Sequence, residues 1–133
     1  MNPKRKFQSA KEIMEKNTVF IDGLATAKEA VEIMRKEKVE SLIVKKRNDQ
    51  DAYGIVAIQD LILGVVIPER PPGEVNVFEI MTKPLITVPA TMEVRYVARL
   101  LIRTGLWRAP VEENGEYIGM ISLSRIVMNN ALF

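Results

Sequence analysis

The sequence of 133 residues contains no cysteine and no histidine. Without cysteine the chain has no disulfide bond and no thiol nucleophile, and without histidine it lacks the usual imidazole base. These two residue types are also the common protein ligands of zinc and copper. Catalysis would therefore have to depend on carboxylates, lysines or a metal, and the sequence shows no cluster of that kind. We predict that the protein is not an enzyme and that it requires no metal or cofactor.

Long apolar runs are also missing. The longest run, residues 61–67, is far shorter than the roughly 20 residues that a membrane-spanning helix needs. The N-terminus carries charges but lacks the apolar core of a signal peptide. We therefore expect a cytoplasmic protein without a membrane partner.

Aromatic residues make up only 6% of the chain, and the formal net charge is only +2. Much of the basic excess lies in the segment NPKRK, which we interpret as part of a solvated tail over residues 1–8. A basic stripe interleaved with aromatic residues, which is typical of nucleic-acid surfaces, is not visible in the sequence. The composition therefore disfavours nucleic acid as a partner.

The clearest positive feature is an internal repeat. The segment KEIMEK, which begins at Lys11, returns as FEIMTK from Phe78 at an offset of 67 residues. The segment GIVAIQD, which begins at Gly54, returns as GMISLSR from Gly119 at an offset of 65 residues. The second copy therefore has a shorter loop, where length changes are best tolerated. We predict two repeats, residues 9–67 and 77–133, joined by a proline-rich linker over residues 68–76.

Each repeat has the same predicted order of elements, β-α-β-β-α, and the fold class is therefore α/β (α+β). A short β-rich stretch, residues 18–21 or 85–88, leads into a helix with apolar residues at i, i+3, i+4 and i+7. Thr26 and Thr91 are candidate N-caps of these helices, and Gly105 is a natural end for the second one. Two strands follow, predicted at residues 41–44 and 53–57 in the first copy and at 108–111 and 117–121 in the second. A last helix begins inside GIVAIQD or GMISLSR.

The last helix of each repeat is apolar on more than one face. A unit of about 55 to 60 residues is marginally stable alone. We therefore expect each repeat to bury apolar surface against the other repeat or against a second copy of the chain, and a homodimer is the natural expectation.

The repeated element order, the segment EIM at the start of each unit and the strand APV, residues 109–111, resemble the tandem CBS-domain family. The resemblance covers nearly the whole chain, so we expect a free-standing regulatory pair. It implies two repeats packed pseudo-symmetrically through their sheets, with clefts between them that bind adenosine-containing ligands such as AMP, ADP, ATP or S-adenosylmethionine. It also implies dimers and a signal to an effector protein that the sequence does not identify.

The ligand signature of that family is glycine, two mostly apolar residues, Ser or Thr, two variable residues and then Asp or Asn. The resemblance assigns the hydroxyl to phosphate and the carboxylate to ribose, while the glycine and its apolar neighbours would lie against the purine. The first copy keeps the carboxylate but has alanine in place of the hydroxyl; the second keeps the hydroxyl but has arginine in place of the acid. The candidate binding residues are Gly54, Ile55, Asp60, Ala109, Pro110, Gly119, Met120, Ser122 and Arg125.

Each of these residues also has a simpler interpretation. Ser122 is a natural helix N-cap, and Asp60 would complement the dipole of a helix first turn. Arg125 would bind phosphate or form a surface salt bridge. Ala109 and Pro110 fit a strand in the core as well as a purine cleft. Trp107, the only tryptophan, fits either a subunit contact or a cleft wall. A structural dimerisation module with decayed nucleotide sites is therefore the alternative to a nucleotide sensor.

Overall fold

The computed structural model describes residues 7–133, so most of the predicted tail, residues 1–6, lies outside the described residues. These residues form two three-stranded sheets and six α-helices, together with a π-helix at Ile62–Val66 and a 3-10 helix at Pro72–Glu74. In chain order the elements are α1 (Ala10–Ile13), β1 (Phe20–Ile21), α2 (Ala27–Glu37), β2 (Ser41–Val44), β3 (Gly54–Ala57), α3 (Ile58–Leu61), α4 (Val77–Ile80), β4 (Val88–Pro89), α5 (Val94–Thr104), β5 (Arg108–Glu113), β6 (Glu116–Ser122) and α6 (Leu123–Met128).

The chain folds into two compact units whose boundaries differ from those of the sequence repeats. The central unit is Val19–Leu85, and the terminal unit combines residues 7–18 with Ile86–Phe133. Each unit therefore contains the EIM segment that opens the other repeat in the sequence. We call residues 10–15 the first strap and residues 77–82 the second strap.

The sheets of the two units have the same topology. In the central unit β1 pairs parallel to β2 and β2 pairs antiparallel to β3. In the terminal unit β4 pairs parallel to β5 and β5 pairs antiparallel to β6. The strands β2, β3, β5 and β6 confirm the sequence prediction, whereas β1 and β4 are only two residues long. The predicted mixed fold with two equivalent β-α-β-β-α units is confirmed.

The two long helices bury the apolar positions that their spacing predicts. Helix α2 buries Ala27, Ala30 and Met34, and α5 buries Val94, Val97 and Leu101. Each set joins a separate hydrophobic cluster under its own sheet. This packing, rather than helix propensity, supplies most of the stability of helices of this length.

The helix ends follow the predicted signals with one exception. The Thr26 hydroxyl accepts the Glu29 N–H at 3.1 Å, and Gly105 ends α5 with a φ of +69°. The predicted Thr91 cap is wrong, because α5 begins two residues later with Glu93 at the N-cap position. The first N–H of α5, that of Val94, instead donates to the carbonyl of Gln8 at 2.8 Å. Gln8 lies just before the first strap. Helix α2 starts in the same way, with the Ala27 N–H on the Val75 carbonyl at 2.7 Å.

None of the helices in residues 7–133 combines the length and the apolar character needed to cross a membrane.

Candidate functional site

The two signature segments form equivalent junctions between a strand and a helix. The first junction, Gly54 to Asp60, runs from β3 into α3, and the second junction, Gly119 to Arg125, runs from β6 into α6. Sequence analysis predicted both helix starts, and they are confirmed. The candidate ligand residues Gly54, Ile55 and Asp60 lie in the central unit. The other candidates lie in the terminal unit: Ala109, Pro110, Gly119, Met120, Ser122 and Arg125.

A strap crosses each junction at the glycine. In the first junction Ile55 and Thr82 exchange two backbone hydrogen bonds of 2.9 and 2.8 Å, and in the second junction Met120 and Glu15 exchange two of 2.8 Å. A Cβ atom on Gly54 would lie 2.9 Å from Sδ of Met81, and one on Gly119 would overlap the Glu15 carbonyl oxygen. Gly119 is therefore required by the close approach of the strap backbone, whereas the closest neighbour of Gly54 is a side chain. Contact with a purine stays a prediction.

The first junction is held by the carboxylate of Asp60. Its Oδ2 accepts the Ala57 N–H at 2.8 Å, and its Oδ1 accepts the Thr82 hydroxyl at 2.8 Å. Ala57 occupies the N-cap position and has no side-chain acceptor, so only the reciprocal half of a capping box exists here. Partial burial raises the pKa of Asp60, and the two hydrogen bonds oppose that shift.

The second junction is held by a hydroxyl and a guanidinium. The Ser122 Oγ accepts the Arg125 N–H at 3.1 Å, which is the other half of a capping box. The Arg125 Nε donates to the Ile13 carbonyl at 2.7 Å, and Nη1 lies 3.7 Å from the Glu15 carboxylate. Arg125 therefore contacts the first strap, mainly through a backbone carbonyl. Its role toward a phosphate stays a prediction.

The seventh residue of each junction contacts the same position of a strap. Asp60 corresponds to Arg125 at the offset of 65, and Thr82 corresponds to Glu15 at the offset of 67. Asp60 bonds to Thr82, and Arg125 pairs with Glu15. The carboxylate thus lies on the junction in one unit and on the strap in the other. Sequence analysis missed this exchange, although aligning KEIMEK with FEIMTK places Glu15 opposite Thr82.

The remaining candidates lie in or beside the cores. Ala109 is fully buried in the hydrophobic cluster of the terminal unit, and Pro110 is buried and pairs with Met120 across β5 and β6. Ile55 is buried in β3 between Ile43 and Thr82. Met120 is half-buried, and Trp107 is 63% exposed. A ligand role of these side chains stays a prediction.

Within residues 7–133, no group of three or more carboxylates comes together in a way that could hold a metal ion. The junctions offer hydrogen bonding and charge, from the Asp60 carboxylate in the central unit and from the Ser122 and Ser124 hydroxyls and the Arg125 guanidinium in the terminal unit.

Comparison with known proteins gives consistent matches. The family model described as "CBS domain" matches residues 10–66 and 77–130. An uncharacterized protein of Methanopyrus kandleri is 31% identical over 120 residues, and the match covers 90% of this chain but only 61% of the relative's length.

Among solved structures, a hexameric CBS-CP12 protein from bloom-forming cyanobacteria is 40% identical with a TM-score of 0.88, and the match covers 94% of this chain and 72% of the other. A conserved protein from Pyrococcus horikoshii is 26% identical with a TM-score of 0.79, covering 98% and 96% of the two chains. The two equivalent folds agree with these matches. The chain belongs to the CBS-domain family, with two CBS domains in tandem.

Proposed function

We propose that the protein is a non-catalytic regulatory module that binds an adenosine-containing molecule and signals to an effector protein. CBS-domain proteins generally serve as regulatory modules. We propose AMP, ADP, ATP or S-adenosylmethionine as the ligand of this one. Signalling would follow from a different affinity of the ligand for two arrangements of the repeats or of a dimer.

The carboxylate of Asp60 carries the proposal. It is half-buried, it stands at the start of the helical run from Ile58 to Val66, and each of its oxygens accepts one hydrogen bond from the protein. An ionised carboxylate has about four acceptor positions. Two therefore remain for the vicinal hydroxyls of a ribose, which is the role that the family signature assigns to this position.

The test is thermal unfolding of the full chain with and without millimolar AMP, ADP, ATP and S-adenosylmethionine. A ligand at about 100 times its Kd adds roughly 2.7 kcal/mol to the free energy of unfolding, which gives a clear rise in Tm. We expect the rise in the natural chain to disappear in Asp60→Ala. Thr82→Val is the matched control, because it removes one protein hydrogen bond of Asp60 and leaves the carboxylate, so its rise should persist. Ser122→Ala tests the second junction in the same way.

A specific observation supports the alternative, a structural dimerisation module with decayed sites. All three signature side chains already bind the protein itself: Asp60 binds Ala57 and Thr82, Ser122 caps α6, and Arg125 binds the first strap. If none of the four compounds raises the Tm of the natural chain, this alternative replaces the sensor.

Self-association is part of both proposals. The CBS-CP12 neighbour is hexameric, and this chain exposes apolar side chains at the end of each sequence repeat: Ile58, Ile62, Leu63, Val66, Ile67, Val127, Met128, Leu132 and Phe133. We expect a homodimer in light scattering of the natural chain. Leu63→Glu should shift it toward monomer, whereas Ile102→Glu, at an equally exposed position on α5, should not. A monomeric natural chain would contradict this proposal.

A further inference from the structure

The central unit contains a pocket beside Gly54, at the end of β3 that is opposite Asp60. It has a volume of about 630 Å³ and lies where the chain leaves the parallel strands β1 and β2. One wall is the turn after β1, a second is the segment after β2, and the second strap with the residue that follows it closes the third side. We call this the cationic pocket; it is lined by Asp22, Gly23, Leu24, Val44, Lys45, Lys46, Arg47, Asp51, Phe78, Met81 and Lys83.

The strand register separates the cationic pocket from Asp60. Val44 at the pocket pairs with Gly54, whereas Ser41 at the other end of β2 pairs with Ala57, the N-cap residue of α3. Three residues of β-strand span about 10 Å. The pocket therefore lies at the Gly54 end of this strand pair and Asp60 follows its other end, so binding at the pocket does not depend on the proposed nucleotide function of Asp60.

The apolar part of the pocket includes two solvent-exposed side chains. Leu24 is 76% exposed and Phe78 is 50% exposed, and both line the pocket with Val44 and Met81. The turn that presents Leu24 is held in place, because its N–H donates to Oδ1 of Asp22 at 2.8 Å. The Phe78 N–H donates to the Gly23 carbonyl at 3.0 Å, which ties the second strap to the same turn. The apolar wall is therefore preformed.

The charged part of the pocket carries an excess of cations. Four basic side chains line it against two acids, a net charge of +2. Asp51 is already neutralised: its Oδ2 accepts the Nε of Arg47 at 3.0 Å and the Arg47 backbone N–H at 2.9 Å, and Lys83 pairs with its Oδ1. Arg47, followed by Lys83, holds the pKa of Asp51 well below its usual range. Asp51 thereby fixes two cations at the rim, while Lys45 and Lys46 supply the remaining positive charge.

From this combination we infer that the cationic pocket binds a small organic anion with an aromatic or otherwise apolar body. The body would cover Leu24, Phe78 and Met81, and the anionic group would lie at Lys45, Lys46 and Arg47. A cation would be repelled by the rim, an inorganic anion would leave the apolar wall exposed, and a neutral apolar molecule would leave the lysines without a counter-ion.

The test is a titration of the full chain, labelled with 15N, followed by amide chemical shifts. The probe is 2-naphthoate; 2-naphthalenemethanol has the same body without charge, and acetate has the charge without the body. We expect naphthoate to shift the amide signals of Gly23, Leu24, Lys45 and Lys46 in a saturable manner. The neutral probe should bind at least about tenfold more weakly, because a hydrogen bond to a charged group contributes about 1.5 to 3 kcal/mol. Equal binding of the two naphthalene probes would overturn the inference.

Matched variants assign the effect to the pocket. The double substitution Lys45→Glu with Lys46→Glu should reduce naphthoate affinity at least about tenfold. The control, Lys28→Glu with Lys36→Glu, changes the net charge by the same amount on the exposed face of α2. Its naphthoate affinity should stay within about twofold of that of the natural chain, as expected for screened surface charges. Leu24→Ala tests the apolar wall without a charge change and should also weaken binding. An equal loss in both double variants, or shifts that map outside the pocket, would refute the site. Dispersed amide spectra confirm that each variant is folded.

Discussion

The two junctions have the same backbone architecture but keep different halves of one interaction. The family signature, Ser or Thr followed three residues later by an acid, is also a helix capping box. The first junction keeps the acid, which binds the N-cap N–H, and the second keeps the hydroxyl, which binds the third N–H of its helix. Each half suffices to start a helix, so a departure from the signature does not by itself show that a site has lost its structural purpose.

The two straps carry different partners for the seventh residue of each junction. The first junction presents a carboxylate to a threonine hydroxyl, and the second presents a guanidinium to a carbonyl and a carboxylate. Both arrangements hold a strap against the strand that enters the junction. We therefore regard Asp60 and Arg125 as residues that fasten the straps, whatever further role they have toward a ligand.

The largest expected effect comes from the junction glycines. Gly119→Ala should lower the free energy of unfolding by about 3 kcal/mol, since the new methyl group would overlap a backbone carbonyl that the strand pairing holds in place. Gly54→Ala should cost only about 1 kcal/mol, because its nearest neighbour is the flexible Met81 side chain at 2.9 Å. Urea denaturation of both variants measures the difference. Equal losses would show that the two straps pack equally tightly.

The second expected effect separates the two contacts of Arg125. Arg125→Ala should cost about 1 to 2 kcal/mol, because the partly buried Ile13 carbonyl loses its donor. Glu15→Ala should cost less than about 0.5 kcal/mol, since that carboxylate is exposed and 3.7 Å away. Denaturant midpoints at low and high salt give both values. A larger loss in Glu15→Ala would place the energy in the ion pair instead.

A third prediction restores the missing half of the first capping box. Ala57→Ser should stabilise the protein by about 0.5 to 1 kcal/mol, because the new hydroxyl can accept the N–H of Asp60 as Ser122 accepts that of Arg125. Ser122→Ala should destabilise it by about 1 kcal/mol. Both values come from thermal unfolding without ligand. If Ala57→Ser has no effect on stability, a hydroxyl at residue 57 does not cap α3 as Ser122 caps α6.

The smallest expected effect is a pH dependence confined to the first junction. Since burial raises the pKa of Asp60, its contribution to stability is complete below the ordinary pKa of aspartate, about 3.9, and is lost as pH rises through the higher value. The free energy of unfolding of the natural chain, minus that of Asp60→Asn, should therefore fall between pH 4 and pH 7.

Carboxylates with lowered pKa values, such as Glu79 beside Arg70, have the opposite pH dependence: their contribution to the free energy of unfolding is lost as pH falls. They are common to the natural chain and Asp60→Asn, so their contribution cancels in the difference. Arg125→Gln should leave the shape of the pH profile unchanged, because Arg125 belongs to the second junction and makes no contact with Asp60 among the hydrogen bonds described above. A rising difference for Asp60→Asn would mean that its hydrogen bonds outweigh its burial.

Local patterns were enough to predict most of the secondary structure and both junctions. The spacing of Ala27, Ala30 and Met34 predicted α2, Gly105 predicted the end of α5, and the glycine-started segments predicted β3 and β6. Thr91 failed as a cap because a carbonyl distant in the sequence, that of Gln8, already binds the start of α5. Periodicity cannot report such a contact.

The sequence by itself determined the two-fold repeat, the element order and the family, because these depend on local periodicity and on motifs that survive in both copies. Only the tertiary structure decided which strap packs on which sheet, since that depends on contacts between residues far apart in the chain. It also decided that Gly119 meets the Glu15 carbonyl and that Arg47, Asp51 and Lys83 meet at the rim of the cationic pocket. Such groupings follow from where the backbone leads each side chain, which no short pattern records.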